Sequence, residues 1–407
     1  MSRKKHRLGG RLRSSSASSG PTGAGFLCVL MGELCVGLAC AAPLEISAVR
    51  VQPRVFNPSR SESVDIFFHL SQPAGVTVQV FDSDYFLIAT LEGNRPAFAG
   101  TNHTRWNGRD ADGMVVPDEA YYFVIEARNE EGQDVSYDPA LFSGGETLTI
   151  WAPQLDKEKG VIRYSLSKAA RVRIRAGIHN GPLLKTLLDW APRPAGGHEC
   201  SWDGRDGSGG SMVWGQDRFV LSVWAFTLPD NSIITEGNPV GYLKYWSRAA
   251  EKDRMPLMAF RLATEQGQKA HLKAKEVLRK AVQGRGQQID NDFLASRFMN
   301  RDPEFTLTLR GTDTSAEGAD PIVDGATAEV EIRLTEETRA LLSEQRYEYV
   351  LYVDYLLQTE VETGHSPYTW VLDTTGLRPG RHVLTVNVAT LNGQVGTAST
   401  WIDVQNP

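Results

Sequence analysis

The sequence predicts a mainly β protein: tandem β-sandwich domains linked to a further sandwich by a helical connector. Three observations carry that prediction. First, the chain aligns with itself without a gap at a shift of 96 residues, as in Ile66 onto Ile162 (162 − 66). Leu70, Ser71, Ala74 and Val76 fall on Leu166, Ser167, Ala170 and Val172, and Thr90, Leu91, Pro96 and Gly100 fall on Thr186, Leu187, Pro192 and Gly196. The register closes with Trp106-Asn107-Gly108-Arg109-Asp110 over Trp202-Asp203-Gly204-Arg205-Asp206. A period this long exceeds a solenoid unit and suits a complete small β-domain. Second, most of the remaining apolar residues alternate with polar ones at period two between Gly-, Pro- and Asn-rich turns. Third, one stretch between Gln266 and Val282 has helical spacing instead.

The first 41 residues differ in kind from the rest. Arg3, Lys4, Lys5, Arg7, Arg11 and Arg13 form a basic head, and an apolar run from Gly25 ends in Leu38-Ala39-Cys40-Ala41-Ala42. This order predicts a secretory signal peptide over 1–41, cleaved after Ala41, and the run is short for a membrane span, which takes about 20 residues. Lipidation at Cys40 is the rival reading, although Gly37 stands where a lipobox has an aliphatic residue. Without 1–41 the chain keeps 37 basic and 48 acidic residues (six of 43 and one of 49 removed), a net charge of −11. That balance argues against nucleic acid as a partner, because phosphate neutralisation needs concentrated basic surface. Only Cys200 remains after that cut, so packing must stabilise the domains without an internal disulfide, and its place on a strand suits a buried thiol.

In chain order, the first domain covers 42–140, with a leader at Leu44–Pro53 and strands at Val64–Leu70, Val76–Phe81 and Tyr121–Ala127. The second covers 146–237. In the shared Trp run, the Trp ring ends a strand and caps the core. Asn-Gly or Asp-Gly then supplies the positive backbone angle of a tight turn, and the adjoining Arg and Asp tie the loop to backbone groups. A cation loop using Asp110 and Asp112 is the alternative, but the second copy has Ser208 where the first has Asp112. A basic helical connector follows at 242–302, and the last domain spans 304–407. There Phe305–Leu309, Ala328–Leu334 and Tyr349–Asp354 read as strands, and Thr335–Ser343 as a short helical insertion.

The early Val-x-Val strand, the Ala-Gly turn and Trp-Asp-Gly-Arg-Asp-x-x-Gly together resemble the immunoglobulin-like domain of FlgD, the flagellar hook-capping protein. The likeness implies two FlgD-like immunoglobulin-like sandwiches. It departs downstream, where Glu119-Ala120-Tyr121 stands in place of the usual Gly-x-Tyr. The hook-cap role does not carry over, since such caps leave by the flagellar route without a cleavable leader. The stretch from Tyr352-Val353-Asp354 through Leu372-Asp373-Thr374-Thr375-Gly376-Leu377 to Gly380-Arg381-His382-Val383-Leu384 resembles bacterial immunoglobulin-like domains of surface proteins, where this pattern is structural.

Two surfaces are candidate binding sites. On the connector, Ala270, Ala274, Val277 and Ala281 form one stripe, and Lys273, Lys275, Arg279 and Lys280 surround a single Glu276. These bases either face water or the acidic domains, or form a docking face for an acidic partner. In the second copy, Trp190, Trp214 and Trp224 lie where the first copy has no Trp. They either pack between domains or stack on sugar rings, with Trp190 and Trp214 as the platform. No nucleophile elbow, zinc-binding run, phosphate loop or paired-cysteine site is present, and no cofactor or metal is expected. The sequence therefore predicts a non-enzymatic, exported structural or interaction protein of the bacterial envelope, periplasmic or at the cell surface, with no transmembrane span in its mature form. Its expected partner is an envelope protein or complex, with polysaccharide binding as the second reading.

Overall fold

The computed structural model describes residues 42–150, 153–241, 244–245, 265–285, 288–297, 300–310, 320–343 and 345–406. The expected signal peptide and Cys40 lie outside them. The first sandwich comprises β1 (Ile46–Gln52), β2 (Val55–Phe56), β3 (Val64–Leu70), β4 (Ala74–Phe81), β5 (Leu87–Ala97), β6 (Gly100–Trp106), β7 (Ala120–Arg128) and β8 (Asp134–Tyr137). The expected leader is thus a strand. One sheet runs β1-β3-β6 and the other is built around β4, with β5 and β7 on its two sides and β8 on β7. Val64, Ile66, Phe68 and Leu70 alternate into the core against Val76, Val78 and Val80 from the facing sheet. Trp106 and Tyr121 close it at 5.2 Å between ring centroids. Each such apolar side chain contributes about 1.5–3 kcal/mol by leaving water, which is how the fold dispenses with disulfides.

The second sandwich repeats the plan with β9 (Thr147–Leu148), β10 (Gln154–Asp156), β11 (Val161–Leu166), β12 (Ala170–Ile178), β13 (Leu183–Arg193), β14 (Gly196–Ser201) and β15 (Phe219–Thr227). Its sheets are β10-β11-β14 and β13-β12-β15-β9. The next strand, β16 (Ile233–Thr235), leaves this sandwich. It pairs antiparallel with β7 (Ile233 to Tyr121, Ile234 to Ala120) and parallel with β2, completing the order β2-β16-β7-β4-β5 in the first sandwich. Ile233 is fully buried in the first core. The last strand of the segment expected to be the second domain, 146–237, therefore belongs to the first sandwich. β8 covers only Ile125–Arg128 of β7, and β16 caps the edge left open at Ala120–Tyr121.

The connector contributes α1 (Glu265–Gly284) and α2 (Asn291–Leu294). The third sandwich holds β17 (Phe305–Arg310), β18 (Ile322–Asp324), β19 (Thr327–Leu334), α3 (Glu336–Leu341), β20 (Tyr347–Val353), β21 (Leu356–Val361), β22 (Tyr368–Asp373), β23 (Gly380–Thr390) and β24 (Val395–Asn406). Helix α3 is the expected insertion, capped by Thr335, whose hydroxyl accepts the Thr338 N–H at 3.2 Å. Sheets β17-β19-β22 and β18-β24-β23-β20-β21 face each other. Here β24 lies antiparallel to β23 and parallel to β18, the relation that β16 has to β7 and β2. All three units are immunoglobulin-like sandwiches on their own sheet order.

Candidate functional site: the inter-domain junction and the exposed faces

The duplicated Trp loop is the same machine twice. Trp106 and Trp202 are buried, and each indole N–H donates to the carbonyl of the Arg three residues on, at 2.9 and 2.8 Å. The side chains of Arg109 and Arg205 reach forward to the carbonyls of Gly113 and Gly209 at 2.8 and 3.0 Å. Gly108 and Gly204 have φ of +69° and +80°, and a Cβ there would strike Pro58 or Trp214 at 2.4 or 2.2 Å. The Asp110 carboxylate accepts from the backbone N–H of Asp112 and Met114 and from the Tyr245 hydroxyl. Its oxygens are committed to the loop, and among the described residues no three His, Cys, Asp or Glu side chains gather as a metal site.

The copies diverge on the outer face of their central strands. At the shift of 96 residues, Gly75, Thr77 and Gln79 on β4 become Arg171, Arg173 and Arg175 on β12. The first three are half-exposed, whereas the side chains of Arg171, Arg173 and Arg175 retain 2%, 8% and 11% of their exposure. Arg171 crosses into the first sandwich, pairing with Glu119 at 2.7 Å and donating to the Ser83 hydroxyl at 2.7 Å and to the Trp190 carbonyl at 3.1 Å. Burial is the largest single influence and disfavours its charge, but Glu119, Tyr122 and Asp84 together outweigh it and hold the guanidinium above the ordinary arginine range. Glu119 is the residue at which the chain departs from the Gly-x-Tyr pattern.

Asp84 gathers the connector. Whereas Asp82 accepts from the N–H groups of its own turn, those of Asp84 and Phe86, at 2.9 Å, the fully buried Asp84 carboxylate accepts from the Ser296 hydroxyl and the Arg297 N–H, both at 2.9 Å, and pairs with Lys275 at 3.5 Å. Arg297 also donates to the Asp189 carbonyl at 3.2 Å, and burial, then Arg171 beside it, lowers its affinity for a proton. Around these charges Tyr85, Ala140, Trp190, Phe226, Leu278, Val282 and Phe293 form an apolar cluster drawn from both sandwiches and the connector.

This junction relocates the candidate residues. Trp190 is 3% exposed, lying 4.8 Å from Phe226 with the Arg173 guanidinium 4.4 Å over its ring, so neither of its faces is open to a sugar. Its φ of +48° matches the +53° of Asn94 at the equivalent position. Asn tolerates this left-handed backbone, whereas for Trp it costs on the order of 1–3 kcal/mol, which the surrounding packing offsets. Trp214 is half-buried against Trp202 at 5.3 Å and belongs to the second core. Trp224 alone of the three stays exposed, at 47%. Cys200 is half-buried on the flank of the same core, and burial raises its thiol pKa.

Among the described side chains of α1, Leu278 and Val282 are buried with Lys275 beside them, while Val277 of the expected stripe is 42% exposed. This part of the helix therefore turns inward the residues that flank Asp84. Lys275 points into the molecule. Arg279 and Lys280 face solvent, Lys280 pairing with Glu276 at 2.7 Å, and the side chain of Lys273 lies outside the described residues. The four bases thus do not share one open face.

Asp302, at the end of the connector, joins the second sandwich to the third, taking Arg175 at 2.5 Å and the Thr186 hydroxyl at 2.8 Å from the one and the Val395 N–H at 3.0 Å from the other. The Asn387 amide brackets the backbone of Leu183, accepting from its N–H and donating to its carbonyl at 2.9 Å each. The two ends of the surface-protein pattern meet inside this domain: His382 Nδ1 lies 2.6 Å from Asp354 and Nε2 lies 2.7 Å from the Arg378 carbonyl. Both ring nitrogens face acceptors, so the protonated ring is favoured. Burial opposes this first, but the carbonyl and carboxylate prevail and the pKa rises.

No family model and no curated protein matches the chain. Similar solved structures include the fibronectin(III)-like modules of Clostridium thermocellum CbhA, at 8% identity and TM-score 0.18, over 88% of this chain and 94% of that one. A 1.5-MDa bacterial ice-binding adhesin is similar at 11% identity and TM-score 0.18, over 90% and 99% of the two chains. The central fibronectin-III array of RIM-binding protein gives 10% identity and TM-score 0.16, over 90% and 98%. Superpositions this loose carry nothing about activity or domain placement. The immunoglobulin-like assignment stands on sheet order. Among the described residues, no helix is long and apolar enough to cross a membrane.

Proposed function

We propose that this chain is a non-catalytic scaffolding subunit of the bacterial envelope, built from two FlgD-type sandwiches and a surface-protein sandwich, that binds another protein through its free surfaces. The observation that carries this reading is the junction of Glu119, Arg171, Asp84 and Arg297. There charged side chains, three of them buried, join the two sandwiches and the connector, while the repeated motif residues serve cores and tight turns. A chain that invests so heavily in fixing domain geometry is suited to hold partners at set positions. Export follows from the basic head and apolar run before Ala42, and the mature N-terminus is expected at Ala42. Mass spectrometry of the mature protein separates this from a lipidated Cys40.

Chemical crosslinking and recovery from envelope fractions tests the reading. One protein should recur in stoichiometric amount, and its absence, together with turnover of any envelope substrate, would refute the proposal. Trp224 keeps the carbohydrate reading testable. If the protein is retained on insoluble polysaccharide, Trp224→Ala should abolish that retention, while Trp214→Ala should first lower stability.

A further inference from the structure

The three sandwiches end their larger sheets on equivalent strands, β5, β13 and β21, and only one of these edges is left without protection. β5 carries three register irregularities against β4, together with Arg95 and Pro96. β13 carries three against β12 and Pro192, and its start is bracketed by Asn387 of the third sandwich. β21 is Leu-Leu-Gln-Thr-Glu-Val, has a single irregularity, and contains no proline, lysine or arginine. Its residues Leu356 to Glu360 are all exposed, the two leucines at 57% and 53%. Proline, cationic side chains and bulges are the usual means of keeping a sheet edge from accepting another strand. In an antiparallel ladder alternate residues direct their N–H and C=O groups away from the neighbour, so β21 offers a row of them beyond β20.

The charge on this edge selects the occupant. On the outer face, Tyr352 pairs with Leu357 and Val350 with Glu360, and Glu348 stands on the same face of β20. Glu348 and Glu360 are the only charged residues on β20 and β21. A second copy pairing edge to edge would bring the carboxylates of both chains onto one face with no cation on either strand. An incoming strand with basic residues on that face would neutralise them, its alkyl stems covering Leu357, while apolar residues on its other face would meet Leu356.

We propose that β21 is a strand-addition site for an extended segment of a partner protein in which basic and apolar residues alternate. This rests on the reading of the chain as an interaction protein and names one surface that it uses.

The test is hydrogen–deuterium exchange on the full chain with a short blocked peptide of alternating lysine and valine, beside its glutamate–valine counterpart. The basic peptide should slow exchange across Leu356–Val361 by roughly tenfold or more, as amides enter a new ladder. The acidic peptide should not. Charge reversal at Glu348→Lys and Glu360→Lys should exchange the two preferences. Thr359→Pro should remove protection at an unchanged melting temperature, and Leu357→Lys serves in its place should Thr359→Pro disturb the fold. Equal protection by both peptides, protection by neither, or a dimer in sedimentation that Leu357→Lys dissolves would overturn the assignment. A natural partner recovered equally by the wild type and by the Glu360→Lys variant would leave the scaffolding role intact and remove this edge from it.

Discussion

On the first sandwich the outer face of β4 is Gly75, Thr77 and Gln79, open to solvent and backed by Asn94 in a left-handed bend. On the second, the same positions hold three arginines and a tryptophan, almost wholly covered. The cores beneath share Ile66 with Ile162, Leu70 with Leu166, Ala74 with Ala170 and Val76 with Val172, and the loops at the ends share Trp106 with Trp202 and Arg109 with Arg205. The difference teaches that a duplicated sandwich can keep the plan of its interior and turns while one face is rewritten as an interface. The rewriting is reciprocal, since Glu119 and Asp84 of the first copy are the acids that receive the new arginine and the connector.

The sharpest way to break this comparison is Arg171→Ala. It leaves Glu119 buried with Arg297 only 3.9 Å away as a poor substitute, and a broken buried pair costs about 3–5 kcal/mol. Denaturant unfolding should show that loss, and Gly75→Ala on the open face should show much less. Next, Ile233→Ala should cost about 2–5 kcal/mol. Although it lies beyond the second sandwich in sequence, its loss of exchange protection should appear at Ala120 and Tyr121, in the first. Trp190→Asn places the first copy's residue in the second. It loses a buried ring but relieves the left-handed strain, so the net cost should be about 1–3 kcal/mol, below that of Trp190→Ala. Lys275→Met keeps the stem and removes the charge facing Asp84. Since Ser296 and Arg297 still hold that carboxylate, about 1 kcal/mol should be lost.

The smallest effect is a pH dependence confined to the third sandwich. Because the His382 pKa is raised in the folded state, its contribution is fully present below the unfolded value of 6.5 and is lost as pH rises through the folded value. Melting temperature should fall over that window in the wild type and stay flatter in His382→Gln. Equal slopes would remove His382 as the cause.

Much of this was legible before any coordinates. The 96-residue shift located both Trp loops, and alternation located three strands in the first domain and three in the third, because a half-buried sheet imposes period two on its own sequence. Local turn chemistry also reads directly: Asn-Gly and Asp-Gly are satisfied by neighbours a few residues away. The junction was missed, although a signal existed. Arg171, Arg173 and Arg175 alternate along a strand whose other face is wholly apolar, and Glu119 replaces a glycine of the resembled pattern. Those residues look like solvated surface until their partners are known.

The sequence by itself determined the kind of domain, the number of copies and the turns that end their strands, since each depends on contacts within a short stretch or on a periodic pattern. Only the tertiary structure decided which sheet receives Ile233–Thr235, where Asp84 finds its partners, and which face of α1 is inward. The physical reason is one of range. A β-edge and a buried carboxylate specify what they need in hydrogen bonds and charge, but not which distant segment supplies it, and that choice belongs to the packing of all the domains at once.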